Sequence, residues 1–407
     1  MRIAFVGPFA LQPKRTMAVR ALPLAKALVA RGHEVHVWLP PWDAPQDAGK
    51  EWQDGGVHVH NVALPARLPL AWHAVLTQRL VRGALGGQPD AVHCFKPKAY
   101  AGLSAWTLWQ LKQLGAVRAR LVVDADDWEG AGGWNELQRY TAAEKRFFAW
   151  QERWGLRHND ALTIASRALQ SIAWSLGVPP AQVHYLPNGA LPPSTADSAE
   201  VARLRERYGL GEGPVALLYT RFFEYGVERG WAIMRGVLEQ WPDLRWLVVG
   251  KGFFGEEEQL MELARSQGLA AQVTYAGWVP PEALAAHFAL ANAAIYPFDD
   301  TLVNRCKCAV KLIDLLGAGV AVVADGVGQN AEYIEHGVSG LLVTPGDTSA
   351  FVAAVVRLLR DVDLARQLGR GARERIREHY PWERLATIAE QAYGGRPVEA
   401  PNGQWLP

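Results

Sequence analysis

The stretch YPFDDTLVNRCKCAVKLIDLLGAGVAVVADGVGQNAEYIEHGVSGLLV, residues 296–343, decides the fold. A polar loop runs into a helical pattern, Gly317 and Gly319 break it, and a short apolar run follows that fits a buried strand. A glycine-bearing loop and a second helical pattern come next. In a unit of this kind the carboxyl end of the strand and the helix N-termini face one crevice, where backbone N–H groups and positive helix ends can hold an anion. Lys307, Lys311 and Asp314 are expected at that crevice. Two cations with one carboxylate suit a ligand carrying both phosphate and hydroxyls, such as a nucleotide, better than a plain anion.

Working outward, the alternation continues on both sides. Upstream, strands are expected at 215–219, 244–249, 273–276 and 293–296, with helices at 256–267 and 281–291 between them. Before these lies a segment rich in Pro, Ser and Ala, residues 190–200, with the composition of an interdomain linker. The N-terminus opens in the same way: an apolar run at 2–6, a Gly7-Pro8 turn, a helical pattern from 16 to 30, and an alternating strand at 33–38. Further strands are expected at 57–62, 91–94, 121–124, 161–165 and 183–186. The chain therefore reads as α/β, with two doubly wound Rossmann-like domains facing across a cleft, spanning 1–192 and 193–381. A helix at 382–393 starts after Pro381 and needs a neighbour, so residues 382–407 are expected to pack back toward the N-terminal domain.

The 407 residues exceed one ordinary core, which agrees with two domains. A formal net charge of +1 gives no global attraction to nucleic acid, so phosphate contacts must come from local clusters. The cysteines are Cys94, Cys306 and Cys308, an odd and sparse set that argues for a reducing compartment and against a disulfide scaffold. No second Cys or His pair lies at zinc spacing, so no metal site is expected. The chain opens directly on a strand and has no apolar run of membrane-spanning length, which reads as cytoplasmic and soluble.

Candidate chemistry gathers at strand ends. Gly7 closes the first strand, with Lys14 and Arg15 at the following helix start; this is either a basic loop that meets phosphate or a solvated turn. Asp124, Asp126 and Asp127 close a buried strand, placing carboxylates where they can orient sugar hydroxyls, serve as a general base or, as the weaker reading, hold a divalent cation, unless Asp126 or Asp127 caps the next helix. Arg221 ends the first strand of the second domain and can fork onto a diphosphate. Lys251 follows the next strand between glycines that permit close backbone approach. Most of the 17 tryptophans fall at helical spacing and read as core or interface, with Trp278 the exception. No Ser-His-Asp or HExxH arrangement supports hydrolysis.

With these residues in order, the chain resembles retaining glycosyltransferases of the GT-B fold, most closely glycosyltransferase family 4. The likeness rests on GPF and ARGHEVHV near the start, LRHNDALTIASRAL and LPNGA before the junction, then TRFFE, WPDLRWLVVGKG and VTYAGWVP. It implies transfer of a hexose from a nucleoside diphosphate sugar to a sugar, glycan or lipid-linked acceptor, with no cofactor, no metal and possible work at a membrane surface. By the same resemblance Arg221 contacts the diphosphate, Trp278 and Val279 line the base pocket, Asp314 holds the ribose, and Gly328 lies on the phosphate side. Asp126, Asp127, Arg221 and Lys307 are the expected catalytic group. Gly7, Lys251, Asn304 and Lys311 join the donor set. Three departures stand out. Cys306 falls where the family has a glutamate, with Asp299 or Asp300 as replacements; Tyr225 stands where a lysine is expected, with Arg229 or Lys251 as substitutes; and Asp126 and Asp127 stand where a histidine is common. Lys14, Arg15, Lys96 and Lys98 would suit an acidic acceptor or merely solubilise. A nucleotide-sugar epimerase and a non-catalytic carbohydrate or nucleotide clamp are the alternative readings on this fold.

Overall fold

A computed structural model describes residues 1–66, 71–192 and 195–394. Two compact units emerge from it: unit 1 contains Met1–Gly189, Cys306–Cys308 and the segment from Trp382, and unit 2 contains Ala190–Arg305 and Ala309–Pro381.

Unit 1 is built on an eight-stranded sheet of β1 (Arg2–Val6), β2 (Glu34–Leu39), β3 (Glu51–Asp54), β4 (Val57–Asn61), β5 (Ala91–Phe95), β6 (Arg120–Ala125), β7 (Ala161–Ile164) and β8 (Val183–Tyr185). The strand order is β3-β4-β2-β1-β5-β6-β7-β8, parallel except for β3 against β4. The pleat divides β1 between two layers: Ile3 and Phe5 join one core cluster, Ala4 and Val6 the other. Helices α1 (Leu22–Ala30), α2 (Trp72–Gly86), α3 (Ala99–Gln113), α4 (Ala142–Arg157) and α5 (Arg167–Ser175) cover the two faces. β3 was not expected from sequence because EWQD carries no apolar alternation. It forms through a two-residue hairpin at Gly55 and Gly56, whose φ of +59° and +81° only glycine adopts readily.

Unit 2 repeats the plan with six parallel strands, β9 (Val215–Thr220), β10 (Arg245–Gly250), β11 (Val273–Gly277), β12 (Ala293–Tyr296), β13 (Val322–Asp325) and β14 (Leu341–Val343). Their order is β11-β10-β9-β12-β13-β14. Its helices are α6 (Ser198–Arg207), α7 (Val227–Gln240), α8 (Glu256–Ser266), α9 (Leu284–Ala289), α10 (Leu302–Cys306), α11 (Val310–Ala318), α12 (Gln329–Tyr333), α13 (Thr348–Arg360) and α14 (Val362–His379). The single helical pattern expected after residue 300 is two helices, α10 and α11. The break leaves Cys306–Cys308 among the contacts of unit 1, where Cys306 is fully buried and its carbonyl accepts a hydrogen bond from Ser166 Oγ at 3.1 Å.

The last helix, α15 (Trp382–Gly394), belongs to unit 1. Leu385, Ala386, Ala389, Ala392 and Tyr393 repeat at helical spacing and are buried in the same cluster as Ile3, Phe5 and the apolar face of α1. Polar contacts set its register. Arg31 forks onto Glu390 with both bonds at 2.7 Å, His33 bonds the same carboxylate at 2.8 Å, and the Tyr393 hydroxyl meets His93 Nδ1 at 2.8 Å.

Candidate active site

In a parallel α/β sheet every strand delivers its following loop to one edge, and that edge opens where neighbouring strands lead away in opposite directions. In unit 2 the opening lies between β9 and β12, since β9 continues to β10 on one side and borders β12 on the other. Arg221, Lys251 and Trp278 immediately follow β9, β10 and β11, so the sheet alone brings them to this edge. Trp278 is 63% exposed, Val279 beside it is buried, and the Arg221 guanidinium lies over the Phe253 ring at 4.5 Å. Neither Arg221 nor Lys251 forms an ion pair among the described residues. Gly250, at φ +130°, lets the end of β10 pass against the Thr220 carbonyl, where any Cβ would overlap it.

Above the same opening, α11 carries Lys311 and Asp314 three residues apart, hence on one face. Lys311 Nζ lies 3.5 Å from the centroid of the Tyr219 ring at the end of β9. Asp314 is close enough to Tyr296, the last residue of β12, to help burial raise its phenol pKa. Gly328, at φ +52°, allows the Asn304 and Arg305 carbonyls to pass at 2.7 and 2.8 Å from where its Cβ would be.

The replacements offered for missing family residues have other partners. Arg229 is clamped between Asp299 at 3.0 Å and the fully buried Asp325 at 2.7 Å, so its charge is already neutralised. Asp299 also accepts the Gly226 N–H at 2.8 Å, and Asp300 is held by Arg305. Tyr225 is a buried core residue, its ring against Gly230. Asn304 spends its amide on the carbonyls of Glu224 at 2.6 Å and Asp299 at 2.8 Å, a tie between two loops at this edge. Sequence reasoning missed Glu224 and Asp325. Glu224 is buried and accepts the Arg221 N–H at 3.2 Å, while Asp325 also accepts the Phe298 N–H at 2.7 Å. The signal for Asp325 was available: it is the one carboxylate closing an otherwise apolar strand, VVAD.

Unit 1 has its own opening between β1 and β5, since β1 continues to β2 on one side and borders β5 on the other, and a cluster of charge where β5 and β6 end. The acidic run divides by function. Asp124 belongs to the frame: Arg20 forks onto it at 2.6 and 2.8 Å and Thr163 Oγ1 donates to it at 2.7 Å, all buried. Asp126 and Asp127 instead meet Lys96, whose Nζ lies 3.2 Å from Asp126, 2.8 Å from Asp127 and 3.1 Å from Glu129. Lys98 reaches the other Glu129 oxygen and Asn135 Oδ1, both at 2.7 Å. Lys96 and Lys98 are thus buried structural cations, not the acceptor-facing loop charges that one reading gave them. Lys96 itself stands at φ +57°, a strained position for a non-glycine residue and one often found at functional sites.

The two aspartates differ electrostatically. Burial, reinforced by Asp127 and Asp124, outweighs the pull of Lys96 and lifts the pKa of Asp126 to about 7. Burial also works against ionised Asp127, but Lys96, Lys307 and the Cys308 N–H outweigh it and hold its pKa below the ordinary carboxylate value. Lys307 therefore acts on the acidic pair of unit 1. Gly7 is explained by packing, since a Cβ there would lie 2.7 Å from Leu39 Cδ2 and 2.9 Å from Met17 Cε. Among the described residues no group of three or more His, Cys, Asp or Glu is arranged to hold a metal ion.

Comparison with known proteins shows the family and the fold. Residues 15–189 match the glycosyl transferase 4-like domain, and residues 215–361 match glycosyl transferases group 1. The chain is a family 4 glycosyltransferase of the GT-B fold. As a member it is an enzyme of the hexosyltransferase class and takes a nucleotide-sugar donor. It is 27% identical over 385 residues to the GDP-mannose-dependent alpha-(1-6)-phosphatidylinositol monomannoside mannosyltransferase of Mycolicibacterium smegmatis, covering 90% of this chain and 92% of that one. Among solved structures, the sucrose-phosphate synthase of Thermosynechococcus elongatus shares the fold with a TM-score of 0.72 at 21% identity, covering 97% of this glycosyltransferase and 98% of that chain. Anabaena HepE in complex with UDP and glucose shares it with a TM-score of 0.70 at 17% identity, covering 97% and 100%.

Proposed function

We propose that this glycosyltransferase moves a hexose, with retention of configuration, from a GDP- or UDP-sugar to a hydroxyl of a lipid-linked acceptor. The observation that carries the donor half is the pair of exposed cations, Arg221 and Lys251, at consecutive strand ends with no protein carboxylate as partner. The acceptor half follows the Mycolicibacterium relative, whose name gives a phosphatidylinositol monomannoside as acceptor.

In this reading the donor C1–O bond breaks as the acceptor oxygen bonds C1 on the same face, and the departing phosphate oxygen takes the acceptor proton. Arg221 and Lys251 stabilise the charge that grows on the diphosphate, the preorganised electrostatic contribution that usually dominates such catalysis. They supply positive charge that a metal would otherwise bring. Trp278 and Val279 receive the base, Asp314 the ribose hydroxyls, and Lys311 and the backbone at Gly328 the phosphates. Asp127, kept ionised by Lys96 and Lys307, accepts hydrogen bonds from sugar hydroxyls, while neutral Asp126 can donate one.

The test is turnover with GDP-, UDP- and ADP-sugars, with and without a phosphatidylinositol-type acceptor, followed by product analysis. Transfer product on the lipid supports the reading. Interconversion of the donor sugar without acceptor would point to an epimerase instead, and absence of turnover with every donor would overturn the proposal.

A further inference from the structure

We infer that the outward face of α4 docks this enzyme onto an anionic bilayer surface; the inference rests on the lipid-acceptor reading above for its purpose, but not for its evidence. The helix reads AAEKRFFAWQERWGLR, and what fixes its orientation is unambiguous. Gln151 exchanges hydrogen bonds with the backbone of Ala99, its Oε1 accepting at 2.8 Å and its Nε2 donating at 3.0 Å. Gly155 passes so close to Pro97 that a Cβ would lie 2.6 Å from its ring. Glu152 and Leu156 are fully buried on the same side. At about 100° per residue these positions leave Arg146, Phe147, Trp150, Arg153, Trp154 and Arg157 on one outward arc of about 120°.

That arc reverses the usual pattern, in which aromatic residues are buried and the solvent face is mixed in charge. Phe147 is 41% and Trp150 45% exposed, and they stack on one another with ring centroids 5.8 Å apart. Trp154 continues the row onto His158, whose ring lies parallel to it at 4.3 Å. Trp106, on the adjacent α3, is 42% exposed. Arg146, Arg153 and Arg157 flank the row, and none of them is in an ion pair among the described residues. No carboxylate lies on the arc; Glu144 is turned back to cap the helix through Thr141.

An aromatic row flanked by unpaired guanidinium groups matches the headgroup layer of a membrane, where Trp and Phe enter the boundary and Arg meets lipid phosphate. A protein partner burying the same face would have to supply a dense row of carboxylates. No helix among the described residues is long and apolar enough to cross a membrane, so the contact is one of surface.

The experiment is sedimentation of the full chain with vesicles of phosphatidylcholine alone and of equal parts phosphatidylcholine and phosphatidylglycerol, with no donor or acceptor present. Binding to the anionic vesicles only, weakened by salt, is expected. The Arg146→Gln/Arg153→Gln/Arg157→Gln variant should bind about a hundredfold more weakly, from roughly a tenfold loss or less per cation, and Phe147→Ala/Trp150→Ala should also lose binding. Both should retain wild-type hydrolysis of soluble donor, which shows that they fold. Equal binding by wild type and variants, or no binding by wild type, overturns the inference. So does a wild-type dimer that the same substitutions dissociate, since the face would then be covered by a second copy. Vesicle binding without donor turnover would leave the docking face standing and defeat the transfer reading.

Discussion

Arginines of one sequence neighbourhood have opposite duties here. Arg221 forms no ion pair among the described residues and is proposed to meet the donor diphosphate, whereas Arg229 spends its charge on Asp299 and the buried Asp325. Arg221→Ala should therefore lower kcat/KM by about 10²- to 10³-fold, the cost of removing one preorganised donor to developing charge, while leaving the melting temperature near wild type. Arg229→Met should do the reverse, destabilising the fold by about 3–5 kcal/mol because Asp325 is left buried without its partner; paired kinetics and thermal melts separate the two. Asp126 gives a pH signature. With its pKa lifted to about 7, it is neutral below that value, and ionising it removes the hydrogen-bond donor proposed for a sugar hydroxyl. The kcat/KM should fall as pH rises through about 7, and Asp126→Asn should flatten that limb. The strand-end positions of Arg221 and Lys251 were legible in sequence because each follows an apolar strand directly. The cage around Lys96 was not, because Asp127 and Glu129 arrive from a different strand, and burial, which sequence does not state, turns a surface lysine into a structural one.

Elements were legible where their pattern was strong. Strands such as β9, β12 and β13 are apolar but for a closing Thr220 in β9 and Asp325 in β13, and α15 shows its buried stripe plainly. The edge strand β3 was invisible because nothing covers it to demand apolar residues. The break between α10 and α11 was hidden because it depends on a distant partner: Gln329 Oε1 accepts the Ala309 N–H at 2.9 Å at the start of the second helix. The attachment of α15 has a testable titration. His93 is buried between Tyr393 and Thr163, and burial, opposed by Asp124, lowers its pKa to about 3. A group depressed on folding contributes stability that is complete above its unfolded pKa of about 6.5 and is lost as pH falls toward about 3. Thermal unfolding followed from pH 7 to 4, with the interval taken as an order-of-magnitude window around that pKa, should show a falling melting temperature. His93→Gln, which cannot be charged, should lower stability at neutral pH but reduce this slope; an unchanged slope would remove His93 from the explanation.

For the whole molecule, the repeated strand-helix alternation on either side of a Pro- and Ser-rich segment announced two doubly wound units, and the family relationship agrees with it. The chain does not, however, divide at one point. Cys306–Cys308 and α15 both lie with unit 1 although unit 2 precedes each of them in sequence, because contact partners far apart along the chain leave no local pattern. The acidic pair of unit 1 depends on this, as Lys307 and the Cys308 N–H help keep Asp127 ionised. The central claim is that Arg221 and Lys251 receive the diphosphate of a nucleotide-sugar donor. Calorimetric titration of GDP and UDP into the wild type and into Arg221→Ala/Lys251→Ala tests it most directly. Saturable binding of one nucleotide to the wild type, weakened by about a hundredfold or more in the double variant while its melting temperature is kept, is the predicted result. Equal affinity of the two proteins for the nucleotide, or no binding of either nucleotide to the wild type, would contradict the account.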